Sequence, residues 1–108
     1  MPQADVVNPY APDLANSACI RGDLSVLEII SNYNLVYDPS MLHDSCYYGH
    51  VEIVKWLTSH FNLSPEDARA DDNYALRWSC ANGHLDVAQW ITSHFKLSLD
   101  DVCAVYKA

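Results

Sequence analysis

Chain breakers and basic residues are what this sequence has least of. Its 108 residues include three glycines and five prolines, with no low-complexity run. That composition excludes a collagen-like rod and a disordered tail. Lysine and arginine number 6 against 14 aspartates and glutamates, a formal charge of −8. A chain this acidic has no electrostatic footprint for nucleic acid or an anionic membrane. Long apolar runs are lacking too. The longest stretch poor in charge, 24–38, is broken by Glu28 and is too short and polar to span a bilayer. Met1–Asp5 holds neither a basic segment nor an apolar core, so no signal peptide and an intracellular, reducing location are expected.

Catalytic patterns are missing as well. The sequence contains no Gly-x-Ser-x-Gly elbow, no phosphate-cradling glycine loop and no His-Glu-x-x-His. Glu66 and Asp67 are adjacent carboxylates, which on a helix point in different directions. No enzyme activity and no cofactor are expected.

What the chain does have is internal repetition. Comparing 42–67 with 76–101, an offset of 34, 13 of 26 positions are identical. Ser45-Cys46 matches Ser79-Cys80, Gly49-His50 matches Gly83-His84, and Thr58-Ser59-His60-Phe61 matches Thr92-Ser93-His94-Phe95. A weaker third copy lies upstream, Ala18-Cys19-Ile20-Arg21-Gly22-Asp23-Leu24. Gly22 precedes Gly49 by 27, so this copy is seven residues shorter, with the loss between Tyr33 and Met41.

Each unit reads as two helices. Asp38-Pro39 supplies an N-cap with proline at N1, and Gly49 stops the helix; Asp71 or Asp72 and Gly83 play these parts in the next unit. The second helix spaces Val51, Ile53, Val54, Trp56 and Leu57 along one face, and its copy does so with Leu85, Val87, Ala88, Trp90 and Ile91. Glu52, Lys55 and Ser59 fall outside, as do Asp86, Gln89 and Ser93. Ser64-Pro65 begins a further short helical turn in the connector. A helix pair with one apolar stripe buries it only by stacking on a neighbour. The expected architecture is all-α: about three stacked helical hairpins in a solenoid, with units over 13–37, 38–70 and 71–98.

The stack also bears on the four cysteines. Cys19, Cys46 and Cys80 share one column, three residues before the glycine. Equivalent stacked helices lie about 8–10 Å apart, beyond the roughly 7 Å reach of a disulfide. These residues are read as small buried apolar side chains with free thiols. Cys46/His50 and Cys80/His84 do not make a metal site, since zinc wants four converging ligands and no standard spacing is present. His60 and His94 stand where a helix ends and suit its last carbonyls, with a weak response to pH as the alternative role.

The residues Leu42-His43, Gly49-His50-Val51, Ile53-Val54 with Leu57, and Gly83-His84-Leu85 resemble the ankyrin repeat family, over about residues 13–98. Asp72–Trp78 with the following Ser79–His84 is similar, more narrowly, to ankyrin arrays of giant DNA viruses and protists, which would make the location host cytoplasm. There are departures. Cysteine replaces the second alanine of the Ala-Ala pair, Arg77 replaces the motif histidine, Asp72 stands at the turn glycine, and Asp23 replaces the histidine of Gly-His in unit one. The tight turn between repeats is therefore expected to give way to the connector helix. The resemblance implies that the Gly-His histidine bonds backbone groups at the loop, and that Trp78, like Trp56 and Trp90, is core.

The resemblance further implies a protein-binding scaffold whose concave face docks a partner. The matching partner-facing positions are Ile20 and Arg21, Tyr47 and Tyr48, Ala81 and Asn82, and Asp71, Asp72 and Asn73. These vary between copies while the cysteine and glycine beside them do not. Tyr47 and Tyr48 read either as binding anchors or as a solvated helix end. Asp71 and Asp72 either face a basic partner or cap a helix. On this reading an acidic surround steers a basic or mixed partner toward aromatic anchors. At the ends, residues 1–13 are expected as an extended lead-in and 99–108 as a capping helix with an apolar stripe of Leu99, Val102, Val105 and Tyr106. A homodimer through that apolar end is the alternative function, and a metal- or redox-responsive module built on the cysteine column is a third.

Overall fold

The computed structural model describes residues 11–33 and 35–97. Among the described residues six helices follow one another: α1 (Ala11–Arg21), α2 (Leu24–Ile30), α3 (Pro39–Tyr47), α4 (Val51–His60), α5 (Pro65–Ala81) and α6 (Leu85–Phe95), with a 3-10 turn at Ser31–Tyr33. No strand occurs among the described residues. Within each unit α1 packs on α2, α3 on α4 and α5 on α6; between units α1 packs on α3, α3 on α5, and α4 on α6. This is the all-α stack of three hairpins that the repeat predicts. The cap expected over 99–108 lies outside the described residues. The lead-in does too, except for 11–13, which are helical rather than extended. Pro12 sits in the first turn of α1, where its missing N–H has no helical partner to lose.

Local chemistry sets the helix ends. The Asp38 side chain accepts from the Ser40 amide at 2.9 Å, with Pro39 at the first helical position. Ser64 and Asp67 form a reciprocal capping box that spans Pro65. At the other end of α3, the His50 amide donates to the Ser45 carbonyl and the Gly49 amide to that of Cys46. The third unit repeats both bonds, His84 to Ser79 and Gly83 to Cys80. The second helices of the last two units, α4 and α6, end differently. Asn62 and Lys96 take the left-handed conformation, and the next amides reach back to Thr58 and Thr92.

The core runs through all three units. Leu27, Met41, Leu42, Ile53, Val54, Leu57, Leu76, Val87 and Ile91 are all but fully buried. Each large aliphatic side chain so buried contributes about 1.5–3 kcal/mol. The apolar stripe expected on the second helices holds for Ile53, Val54 and Leu57, while Val51, Trp56 and Trp90 are half-buried against it. Leu85 departs from expectation at 41% exposed; α6 is the last described helix, and among the described residues no further unit covers it. His60 stacks on Trp56 and His94 on Trp90, at centroid distances of 4.4 and 4.6 Å.

The cysteine column is partly as expected. Cys19 and Cys46 are buried and free. Burial pushes their thiols up to about 11 and about 12, against a weaker pull from the hydroxyls of Ser45 and Ser79 in the following unit. Both are held protonated, unsuited to nucleophilic or metal-binding chemistry. Cys80 differs: it is disulfide-bonded. The spacing argument excluded only partners at equivalent positions of the stack, so the expectation of a free thiol fails here.

Gly49 and Gly83 separate two demands on one position. Both have positive φ, +80° and +77°. A Cβ on Gly49 would also strike the His84 ring, whereas one on Gly83 meets nothing within 4 Å. Gly83→Ala is expected to destabilise by about 1 kcal/mol through its backbone alone. Gly49→Ala carries that term and displaces the ring, for a loss of about 2 kcal/mol or more. Urea unfolding of the two variants tests this; equal losses would mean that the His84 ring is not held in place.

Candidate functional site

The described structure places the expected partner-facing residues at the ends and turns of α1, α3 and α5. Ile20 and Arg21 close α1. The carbonyl of Ile20 accepts from His50 Nε2 at 2.8 Å, and the Arg21 guanidinium lies 3.7 Å from Asp23. Tyr47 closes α3 with Tyr48 following, and Ala81 closes α5 with Asn82 following. Asn82 Nδ2 donates to the Tyr47 carbonyl at 3.0 Å, tying the third unit to the second. Tyr48 is 47% exposed and Tyr47 is half-buried.

Asp71, Asp72 and Asn73 do not cap a helix. Their φ/ψ pairs, (55°, 47°), (59°, 49°) and (60°, 37°), make a left-handed run that breaks α5 after an extended Ala70. An N-cap is normally extended, and its side chain bonds an amide ahead of it. Here Asp71 Oδ2 instead lies 3.6 Å from His43 Nδ1, and Asp72 Oδ2 lies 4.0 Å from Arg77 Nη1. A run of three left-handed residues is tolerated because all three are Asp or Asn. That composition is the signal the sequence offered for the break. The connector helix before it, starting at Pro65, is as expected.

Sequence reasoning missed the centre of the site. Trp78 was expected in the core and is 36% exposed. Its repeat equivalents are Ser17 and Asp44, small polar side chains, both half-buried. An indole does not fit a slot of that size and spreads over the neighbouring unit. The Trp78 ring lies 5.3 Å from Tyr47 and 5.9 Å from Tyr74. Tyr47 meets Tyr48 edge-on at 4.9 Å, and Tyr74 stacks on His43 at 4.3 Å. Five rings therefore form one ridge across α3 and α5: Tyr48, Tyr47, Trp78, Tyr74 and His43. The polar character of its column partners was the signal that Trp78 would emerge.

Charge surrounds this ridge. The Asp71 and Asp72 side chains are 70% and 92% exposed. Asp44 stands close enough to disfavour ionisation of the Tyr74 hydroxyl, which burial already pushes up. Burial also raises Asp44 itself above the usual carboxylate range. No three histidine, cysteine or acidic side chains converge as a metal-ligand group among the described residues. The imidazole of His50 is occupied by the Ile20 carbonyl.

A family described as ankyrin repeats in three copies matches residues 14–101. The chain belongs to the ankyrin-repeat family. Ankyrin repeats are generally protein–protein interaction modules and a non-enzymatic kind of scaffold. No curated protein and no solved structure matches the chain. Within this ankyrin stack the Leu-His pair of the family pattern is Leu42-His43, and the structure buries both. No described helix is long and apolar enough to cross a membrane.

His43 gives the stack a defined response to acid. Burial lowers its pKa from 6.5, outweighing the opposite pull of Asp71, whose carboxylate is mostly exposed. The native chain therefore binds fewer protons here than the unfolded chain does. The stability this contributes is present above about pH 6.5 and is lost as pH falls through the depressed native value. His43→Gln should flatten the fall in unfolding free energy between about pH 7 and pH 5. Chemical denaturation across that range decides it: were the Asp71 pair dominant, acid would stabilise the wild type relative to the variant.

Proposed function

We propose that this ankyrin stack docks a protein partner on its concave face, and that the aromatic ridge is the centre of the contact. The observation that carries this reading is the continuity of the rings from Tyr48 through Tyr47 and Trp78 to Tyr74. Single exposed aromatics are ordinary on a protein surface. A connected row from two successive units, with Tyr48 and Trp78 both open to solvent, is a larger investment of apolar surface. Tyrosine and tryptophan are also the residues most often found at binding hot spots. Ile20, Arg21, Ala81 and Asn82 would flank the contact, and Asp71, Asp72 and Asn73 would form its acidic margin. With two or three units contributing, the interface would sit at the low end of the standard size range. The reading places the module inside a cell; the buried free thiols of Cys19 and Cys46 support that location and the disulfide of Cys80 speaks against it.

Self-association through the last unit is the second reading, favoured by the exposure of Leu85. Mass measured as a function of concentration separates it from docking.

The test is affinity capture from a cell extract with wild type and with Tyr47→Ala, Tyr48→Ala, the helicity of the variant being checked first. The wild type is expected to retain a specific protein that the variant loses by tenfold or more, as removal of a hot spot worth about 2 kcal/mol would give. Capture of the same proteins by both would remove the ridge from the contact. Capture of nothing but the chain itself would replace docking by self-association.

A further inference from the structure

The chemistry of the ridge constrains what docks on it. The face of an aromatic ring is electronegative and attracts a cation placed over it, tryptophan most strongly. Tyr48 and Trp78 both touch Tyr47 and are the two rings of the row most open to solvent. The charged groups around the row are Asp44, Asp71 and Asp72 on one side of the balance and Arg77 and His43 on the other. Arg77 is spanned to Asp72 at 4.0 Å, and His43 faces Asp71 at 3.6 Å while burial favours its neutral form. The row is thus bordered by more negative than positive charge, on a chain whose net charge is −8.

We propose that the ridge receives an arginine-bearing segment of a protein partner, one guanidinium seated on the Trp78 ring in the middle of the row and the positive charge of the segment answered by Asp71 and Asp72 toward the Tyr74 and His43 end. The inference rests on the docking reading above and names the chemistry of what docks. Arginine fits better than lysine for two reasons. Its planar guanidinium stacks on a ring with less loss of hydration than an ammonium suffers, and its fork of donors matches a carboxylate. An acidic segment would meet Asp44, Asp71 and Asp72 as like charges. A purely apolar segment would use the rings and leave the surrounding carboxylates unanswered. The acidic margin would act mostly on the rate of encounter, since these carboxylates are exposed and screened by salt.

The experiment uses the full chain and a short peptide of alternating arginine and glycine, blocked at both ends, with lysine–glycine and glutamate–glycine counterparts. The readout is the three indole N–H resonances of Trp56, Trp78 and Trp90 in a nitrogen-15-labelled sample. The arginine peptide should move the Trp78 resonance and leave the other two in place. The lysine peptide should bind several-fold more weakly, and the glutamate peptide should cause no shift. Affinity for the arginine peptide should fall about tenfold or more between about 0.05 M and 0.5 M salt. Trp78→Ala should weaken it about tenfold, the size of a cation–π contact of roughly 1–2 kcal/mol. Asp71→Asn, Asp72→Asn should weaken it about fivefold with the fold kept, because asparagine accepts the left-handed conformation as aspartate does. An unmoved Trp78 resonance, equal shifts from the glutamate peptide, or full affinity in the asparagine variant would each overturn the proposal. If the peptides fail while capture still depends on Tyr47 and Tyr48, the partner's chemistry is wrong and the docking reading stands. Failure of both experiments removes both.

Discussion

The ring of His50 fills the space that a Cβ on Gly22 would need, and its Nε2 donates to the carbonyl of Ile20 at 2.8 Å. The same ring-over-glycine contact recurs between His84 and Gly49. Hydrophobic burial drives one hairpin onto the next but is not directional. It would tolerate sliding or rotation of one apolar face over another. A donor aimed at one carbonyl, from a ring that fits only above a residue without a side chain, does not. The contact therefore converts general stacking into a fixed register. Asn82, bonded to the Tyr47 carbonyl, ties the third unit to the second close to the same place. Buried serines and cysteines add a second line of register within the core, since Cys19 faces Ser45 and Cys46 faces Ser79 across successive units.

Register matters because the aromatic ridge is built from two units. Tyr47 and Tyr48 come from the end of α3, and Tyr74 and Trp78 from α5. A shift of one helix by a residue would separate rings that now lie 4.3 to 5.9 Å apart. The left-handed run at Asp71–Asn73 contributes from the other side. It ends the connector helix, turns the chain, and starts the inner part of α5 so that Tyr74 falls against His43. Three left-handed residues in succession are unfavourable for most side chains. Their retention here is balanced by the burial of Ala75 and Leu76 immediately after, both at 1% exposure or less.

The parts of this architecture that were legible in the sequence are those that repeat. The offset of 34 between Cys46 and Cys80 and the glycines that end α1, α3 and α5 gave the hairpins, their order and most of the core. So did Asp38-Pro39 and Ser64-Pro65, whose capping geometry depends on neighbours along the chain alone. What was not legible depends on contacts between units. Trp78 emerges because the slot shared with Ser17 and Asp44 is small, which is a property of the neighbouring helix and not of Trp78. Leu85 is 41% exposed, although its sequence context copies that of the half-buried Val51. Asp71 and Asp72 have the composition of caps and serve instead as left-handed residues facing His43 and Arg77. Cys80 shares a column with two free thiols and forms a disulfide. Equivalent positions of the copies thus differ in role from unit to unit.

That distinction also bears on how a short stack could bind with useful affinity. Three units offer little area, and area alone does not set affinity. Ordering flexible side chains on association costs about 0.5–1.5 kcal/mol for each one immobilised. On this ridge the ordering is already done. Tyr47 is held between Tyr48 and Trp78, Tyr74 lies between Trp78 and a buried His43, and the helices that carry them are locked by the His50 and His84 rings. The rings have few torsions to lose and few neighbours to displace. Binding strength would then come from surface fixed during folding, and the stability of the stack and the quality of the binding face would rise or fall together.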